Sequence, residues 1–213
     1  MRNVTIAFLL LISLFCSSVM AARVNLVALG DSLTAGFGLP QDQGFVAQMQ
    51  AWLTAKGVDV TISNAGVSGD TTAGGLARLD WSLAPDTTAL LVNLGGNDLL
   101  RGIDPGNSAA NLDKILATAQ ARRLPVLLIG LKALNNYGPD FKAQFDAIYP
   151  GLSAKYHVPL YPDYFAALKS DGDQTMALAK YMQADGIHPN AEGVARIVAD
   201  LGPHLIDLFR QVQ

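Results

Sequence analysis

The 213-residue chain has one cysteine, three histidines and fewer basic than acidic side chains, 15 Lys and Arg against 18 Asp and Glu. The cysteine, Cys16, sits in an N-terminal stretch that reads as a leader. Arg2 is the only charge before residue 23, an apolar run from Val4 to Cys16 follows it, and Val19-Met20-Ala21-Ala22 supplies small residues around a cut after Ala21. Charge, apolar run and small residues in that order form the pattern of a secretory signal. The run is shorter than the roughly 18–20 apolar residues that span a bilayer, which sets it against the alternative of a retained anchor helix. Phe15 stands where a lipoprotein signal would carry a small residue. We expect residues 1–21 to be a signal peptide, residues 22–213 to form one domain, and the product to be periplasmic or secreted.

Such a cut removes the cysteine, and with it any disulfide, thiolate nucleophile or cysteine-based metal site. It also removes Arg2, so one basic residue fewer than the total leaves 14 Lys and Arg against 18 acids, a net −4. A mildly acidic chain lacks the clustered cations that phosphate backbones demand. Its only basic pair, Arg122-Arg123, reads as the solvated end of a helix. No Gly-x-Gly-x-x-Gly follows the first strand, and Gly30 to Gly36 resembles a phosphate loop but is one residue too long and has Phe37 in place of the lysine, so neither dinucleotide nor nucleotide binding is supported. Asp171-Gly172-Asp173 starts like a calcium loop but lacks the later ligands and reads as a surface turn.

What remains is half apolar and only 15% charged, enough for a full core. Short apolar runs alternate with helical periodicity. Strands are expected at Val24 to Leu29, Val58 to Ile62, Ala89 to Leu94, Val126 to Leu131 and Val158 to Tyr161. Helices are expected over Phe45 to Lys56, Thr71 to Leu83, Asn107 to Arg122 and Phe141 to Tyr156, with a last one capped by Asn190. The pattern predicts a three-layer α/β/α domain built on a five-stranded parallel sheet with right-handed crossovers. Ligands of such sheets bind at the carboxyl ends of the strands.

The chemically able residues fall in those places. Gly30-Asp31-Ser32-Leu33 follows strand 1, Asn64-Ala65-Gly66-Val67-Ser68-Gly69-Asp70 follows strand 2, Gly95-Gly96-Asn97-Asp98 follows strand 3, and Asp185-Gly186-Ile187-His188-Pro189-Asn190 forms a late loop. Acyl transfer needs a nucleophile, a base, a carboxylate to orient the base, and oxyanion donors. Ser32 at a strand–helix junction suits the first role, His188 the second and Asp185, three residues earlier, the third. The Ser32 and Gly66 N–H groups and the Asn97 amide suit the fourth. Gly66-Val67-Ser68-Gly69 is one residue short of a Gly-x-Ser-x-Gly elbow, so Ser68 reads as a turn residue. His157 and His204 have no carboxylate within three residues upstream and read as structural.

At these residues the sequence resembles the GDSL or SGNH hydrolase family. Ser32, Gly66, Asn97 and His188 match its four marker residues in order, and Asp185 matches its Asp-x-x-His acid. Gly69-Asp70-Thr71-Thr72, Gly75 to Leu79, Gly95 to Asp98 with Leu100-Arg101-Gly102, Asn136-Tyr137-Gly138 and Asp185 to Asn190 resemble the periplasmic esterase/thioesterase/lysophospholipase (arylesterase) subgroup. The resemblance implies a flavodoxin-like sheet and an acyl-serine mechanism on aryl esters, acyl thioesters and lysophospholipids, with no cofactor; no metal is expected either. Close relatives carry a proline two residues before Asn-Tyr-Gly, whereas Leu131-Lys132-Ala133-Leu134-Asn135 precedes Asn136 here, in a loop expected to border the acyl groove.

The chain has no insertion large enough for a lid, so an open groove is expected, walled by Gly74, Gly75, Leu134, Asn136, Tyr137 and Met182. The expected partner is a small acyl ester or thioester, with transient lipid contact, acted on by a monomer. Two other readings stay open. A carbohydrate O-acetyl esterase of the same superfamily would not need the apolar Leu134 and Met182. A noncatalytic exported binding protein would not need Ser32 and His188.

Overall fold

A computed structural model describes residues 23–169 and 180–211. The expected leader, Cys16 and the Asp171-Gly172-Asp173 turn lie outside the described residues.

Five parallel strands, β1 (Val24–Gly30), β2 (Val60–Gly66), β3 (Ala89–Asn93), β4 (Val126–Ile129) and β5 (Leu160–Tyr161), form one sheet in the order β2-β1-β3-β4-β5. Every residue of β3 and β4 is buried, as expected of strands covered on both faces. The covering helices are α2 (Phe45–Ala55), which packs on α8 (Ala191–Phe209), and α6 (Pro105–Ala121), which packs on α7 (Pro139–Tyr156) and on α3 (Thr72–Ala77). From β1 the chain moves outward to β2 and then returns past β1 to β3, so the strand order reverses between β1 and β3. A crevice opens outside the carboxyl ends of two strands that diverge in this way. The short helices α1 (Ser32–Ala35) and α5 (Gly96–Leu100) begin there.

Local signals explain the element ends. Asp31 caps α1 by accepting the Leu33 N–H, Asp104 caps α6 with Pro105 at its first position, and Asn190 caps α8 by accepting the Gly193 N–H. β4 stops at Ile129, two residues before the expected end, α6 starts at Pro105, two residues before the expected start, and three further elements differ for reasons the backbone shows. β2 starts at Val60 because the Val58 N–H closes α2 by donating to the Leu53 carbonyl. In the same way the Val158 N–H donates to Ser153 and closes α7, so β5 keeps only two residues. The single helix expected over Thr71 to Leu83 is two: α3 ends and α4 (Leu79–Ser82) begins at Arg78 (φ −107°, ψ 5°).

Candidate active site

Ser32 is the first residue of α1, directly beyond the end of β1. Its hydroxyl lies 2.9 Å from Nε2 of His188, and Nδ1 of His188 lies 2.7 Å from Oδ2 of Asp185. With Nδ1–H donating to the carboxylate, Nε2 is the nitrogen that accepts the serine proton. The other carboxylate oxygen of Asp185 accepts the backbone N–H groups of Ile187 and His188, at 2.9 and 3.0 Å. These bonds fold residues 185–188 into a tight turn, with Gly186 at φ +66°. Hydrogen bonds from the His188 backbone, the His188 ring and the Ile187 backbone hold the Asp185 carboxyl down at about 2.

The turn is anchored on both sides. The Gln183 N–H donates to the His188 carbonyl, the Asn190 N–H donates to the Tyr181 carbonyl, and Met182 bridges Pro189 in antiparallel fashion. The Gln183 amide donates to the carbonyls of Phe37 and Pro189. Phe37 packs on the imidazole, with ring centroids 4.6 Å apart. The sequence marks Phe37 only as the residue that spoils a phosphate loop, and no signal in it reveals this stacking.

Asn97 lies in the first turn of α5, and its amide nitrogen donates to the Asp70 carbonyl at 2.9 Å, which leaves the second amide hydrogen available. Gly66 ends β2, paired with Gly30. A Cβ there would lie 2.3 Å from the backbone nitrogen of Ala35, so only glycine lets β2 meet α1 this closely. The Gly66 N–H donates to Oδ1 of Asn64 at 2.9 Å. Asp98 faces away from the site and is buried. It accepts from the Thr72 N–H, the Thr72 hydroxyl and the Ser108 hydroxyl, and so ties α5 to α3 and α6.

Asp31 is also buried, and burial pushes its carboxyl up to about 6 against the downward pull of the Leu33 N–H and of His188. His157 caps the end of α7 at φ +54°, and His204 stands edge-on to Tyr161, so both are remote from Ser32.

A cavity of about 320 Å³ opens beside Ser32, Asn97 and His188. Its walls are largely apolar: Leu99, Leu100, Leu131, Leu134, Phe165, Met182 and Ile187, with Lys132 and the Asp163–Lys169 ion pair as charged groups. Of the expected groove residues, Leu134 and Met182 line it. Gly74, Gly75, Asn136 and Tyr137 are not among its lining residues. A Cβ on Gly75 would meet the buried Leu94 side chain and one on Gly74 the Asp70 carboxylate, which places both glycines against the protein interior. The Tyr137 hydroxyl donates to the Leu100 carbonyl, which pins its loop against α5. Among the described residues no cluster of His, Cys, Asp or Glu is placed to hold a metal ion, and no helix is long and apolar enough to cross a membrane.

The sequence pattern of the GDSL-like lipase/acylhydrolase family matches residues 28–196. Esterase TesA of Pseudomonas aeruginosa is 40% identical over 190 residues, covering 89% of this chain and 91% of that protein. Thioesterase 1/protease 1/lysophospholipase L1 of Escherichia coli is 36% identical over 173 residues, covering 81% of this chain and 78% of that protein. Among solved structures, the psychrotrophic esterase EstA from Pseudoalteromonas sp., inhibited by monoethylphosphonate, matches with a TM-score of 0.76 at 28% identity, covering 86% of this chain and 98% of that one.

Proposed function

The chain belongs to the GDSL-like lipase/acylhydrolase family, and from that premise we propose that it hydrolyses carboxylic esters and thioesters through an acyl-Ser32 intermediate. The observation that carries this reading is the run of two hydrogen bonds from Asp185 through His188 to Ser32. The Ser32 oxygen attacks the acyl carbonyl carbon while Nε2 of His188 takes the hydroxyl proton. The Ser32 N–H, the free Asn97 amide hydrogen and the Gly66 N–H hold the oxyanion; Gly66 joins once the Asn64 side chain swings off its N–H. The tetrahedral species collapses with cleavage of the bond to the leaving oxygen or sulfur, and His188 gives its proton to that atom so that an alcohol or thiol departs. Water then attacks the acyl-serine carbonyl carbon, losing a proton to His188, which returns it to the Ser32 oxygen as the acyl–oxygen bond breaks and the carboxylic acid leaves.

The apolar walls beside Ser32 favour an acyl chain over a sugar ring, so aryl esters, acyl thioesters and lysophospholipids are the substrates of this reading. The names of the relatives, esterase and thioesterase/lysophospholipase, support the same class. The leader pattern of residues 1–21 supports export to the periplasm or beyond. The test is a panel of aryl esters from acetyl to long-chain, acyl thioesters and an acetylated sugar, run on wild type beside Ser32→Ala. Hydrolysis of the acyl panel, lost by on the order of 10³–10⁶ in kcat with Ser32→Ala, is the expected result. A variant that keeps most of its activity, or turnover of the acetylated sugar alone, would overturn the reading.

A further inference from the structure

The break in the expected helix at Arg78 places one guanidinium at the rear of the site. Nη1 donates to the Ala65 carbonyl at 2.8 Å, Nη2 to the Gly30 carbonyl at 2.8 Å, and Nε to Oδ2 of Asp70 at 2.6 Å. Two of the acceptors belong to segments that carry an oxyanion donor, and the third belongs to a residue that holds one. The Ala65 carbonyl is the other end of the peptide whose N–H is that of Gly66. A peptide unit is planar, so fixing its carbonyl fixes its N–H. The Gly30 carbonyl ends β1, directly before Asp31 and Ser32. Asp70 holds Asn97 through its own backbone carbonyl.

We propose that Arg78 is a positioning residue that aligns the three oxyanion donors from behind, through these three strand-end and loop contacts. The inference rests on the oxyanion roles given to Ser32, Gly66 and Asn97 above.

The site around Arg78 is built for this. The Arg78 and Asp70 side chains keep only 22% and 19% of their exposure, so the pair is shielded on both sides. Gly74 leaves the space that the Asp70 carboxylate fills, since a Cβ there would lie 2.6 Å from Oδ1. Nη1 also lies 3.3 Å from the Ser82 hydroxyl, which itself donates to the Arg78 carbonyl and braces the helix break. A planar fork with five donors can bond three acceptors in different directions at once; a lysine ammonium can keep the Asp70 charge pair but cannot span the set. The loss of alignment should therefore be felt where charge develops on the substrate oxygen and not where the acyl chain binds.

The experiment compares Arg78→Lys, Asn97→Ala and the double variant on one aryl ester, with kcat, KM and the melting temperature read for each, and Ser32→Ala in parallel. Arg78→Lys is expected to lower kcat about 10–100-fold with KM within about two-fold. In the Asn97→Ala background the same change should still cost about 10-fold or more, because the lysine loses the contacts behind Gly66 and Ser32, which do not run through Asn97. A role confined to stability would lower the melting temperature and leave kcat of the folded fraction intact, and a role through Asn97 alone would make the cost vanish in the Asn97→Ala background; either outcome overturns the proposal. Should Arg78→Lys fail to fold, Gly74→Ala displaces Asp70 from the guanidinium instead, with a kcat loss at unchanged KM expected and an unchanged kcat overturning the proposal. Retained activity in Ser32→Ala would sink the hydrolase reading itself, whereas an inactive Ser32→Ala beside a fully active Arg78→Lys would sink only the role of Arg78.

Discussion

The imidazole of His188 meets the hydroxyl of Ser32 at 2.9 Å across 156 residues of sequence. Neither side chain reaches far to do so. Ser32 sits where β1 turns into α1, and His188 sits on a turn that Gln183 ties to the Phe37 carbonyl, five residues beyond Ser32. The contact is thus set by backbone anchoring, and each anchor has a measurable consequence.

Asp185→Asn tests the orientation of the imidazole. The carboxylate spends one oxygen on the ring and the other on two backbone N–H groups. An amide has only one accepting oxygen, so either the turn or the Nδ1–H loses its partner, and the ring is free to present the wrong tautomer. With its carboxyl held at about 2, Asp185 is ionised throughout the range in which an imidazole base works. A kcat loss of roughly 10²–10⁴ with little change in KM is expected. A loss smaller than about three-fold would remove Asp185 from the mechanism.

Asn97→Ala and Gly66→Ala separate a donor from a packing residue. Asn97→Ala deletes an amide and is expected to cost roughly 10²–10³ in kcat. Its melting temperature should hold near that of wild type. Gly66→Ala keeps the N–H but drives a methyl into the backbone of α1. It is expected to cost about 1–3 kcal/mol in stability, as overpacking does, and activity with it. Thermal melts beside kinetics decide this, and a fully stable Gly66→Ala protein would refute the close approach of β2 to α1.

The fold was legible in the sequence because fully buried parallel strands appear as unbroken apolar runs, and because ligand sites of such sheets gather at strand ends. That same rule brought Ser32, Asn97, Asp185 and His188 to one crevice on paper. What stayed hidden depends on contacts distant in sequence. Leu76, Leu79 and Leu83 keep helical spacing through the break at Arg78, and the break answers to carbonyls 13 and 48 residues upstream. A position in a loop after strand 2 suggests groove walls at Gly74 and Gly75, yet each glycine serves an inward neighbour, Asp70 or Leu94. Phe37 gave no periodic signal because it packs on one ring of a loop that the sequence leaves unplaced.

Asp31→Asn tests a stability penalty with a defined pH window. Burial raises the Asp31 carboxyl from 3.8 to about 6. The folded protein therefore holds this proton more tightly than the unfolded chain does, and its contribution to stability is full below about pH 4. It falls as pH rises toward 6 and stays lost above, a difference on the order of 3 kcal/mol. Asn keeps an oxygen to accept the Leu33 N–H and cannot ionise. Asp31→Asn should melt above wild type at pH 7.5 and converge with it near pH 4. The same offset at both pH values would contradict a buried, ionising carboxylate.

Leu134→Ser and Ile187→Ser address the acyl chain. Both side chains line the cavity beside Ser32 yet are 74% and 42% exposed, so the folded protein gains little from either. Their burial becomes complete only when an apolar group lies against them, and each methylene so buried is worth about 0.8 kcal/mol. The substitutions should leave the melting temperature unchanged and short-chain acetyl ester kinetics within about two-fold. For long-chain esters KM should rise roughly three- to ten-fold, since one or two methylenes lose their cover. The check is KM against acyl length for wild type and both variants. Parallel curves, with no growing gap as the chain lengthens, would show that the acyl group takes another path out of the site.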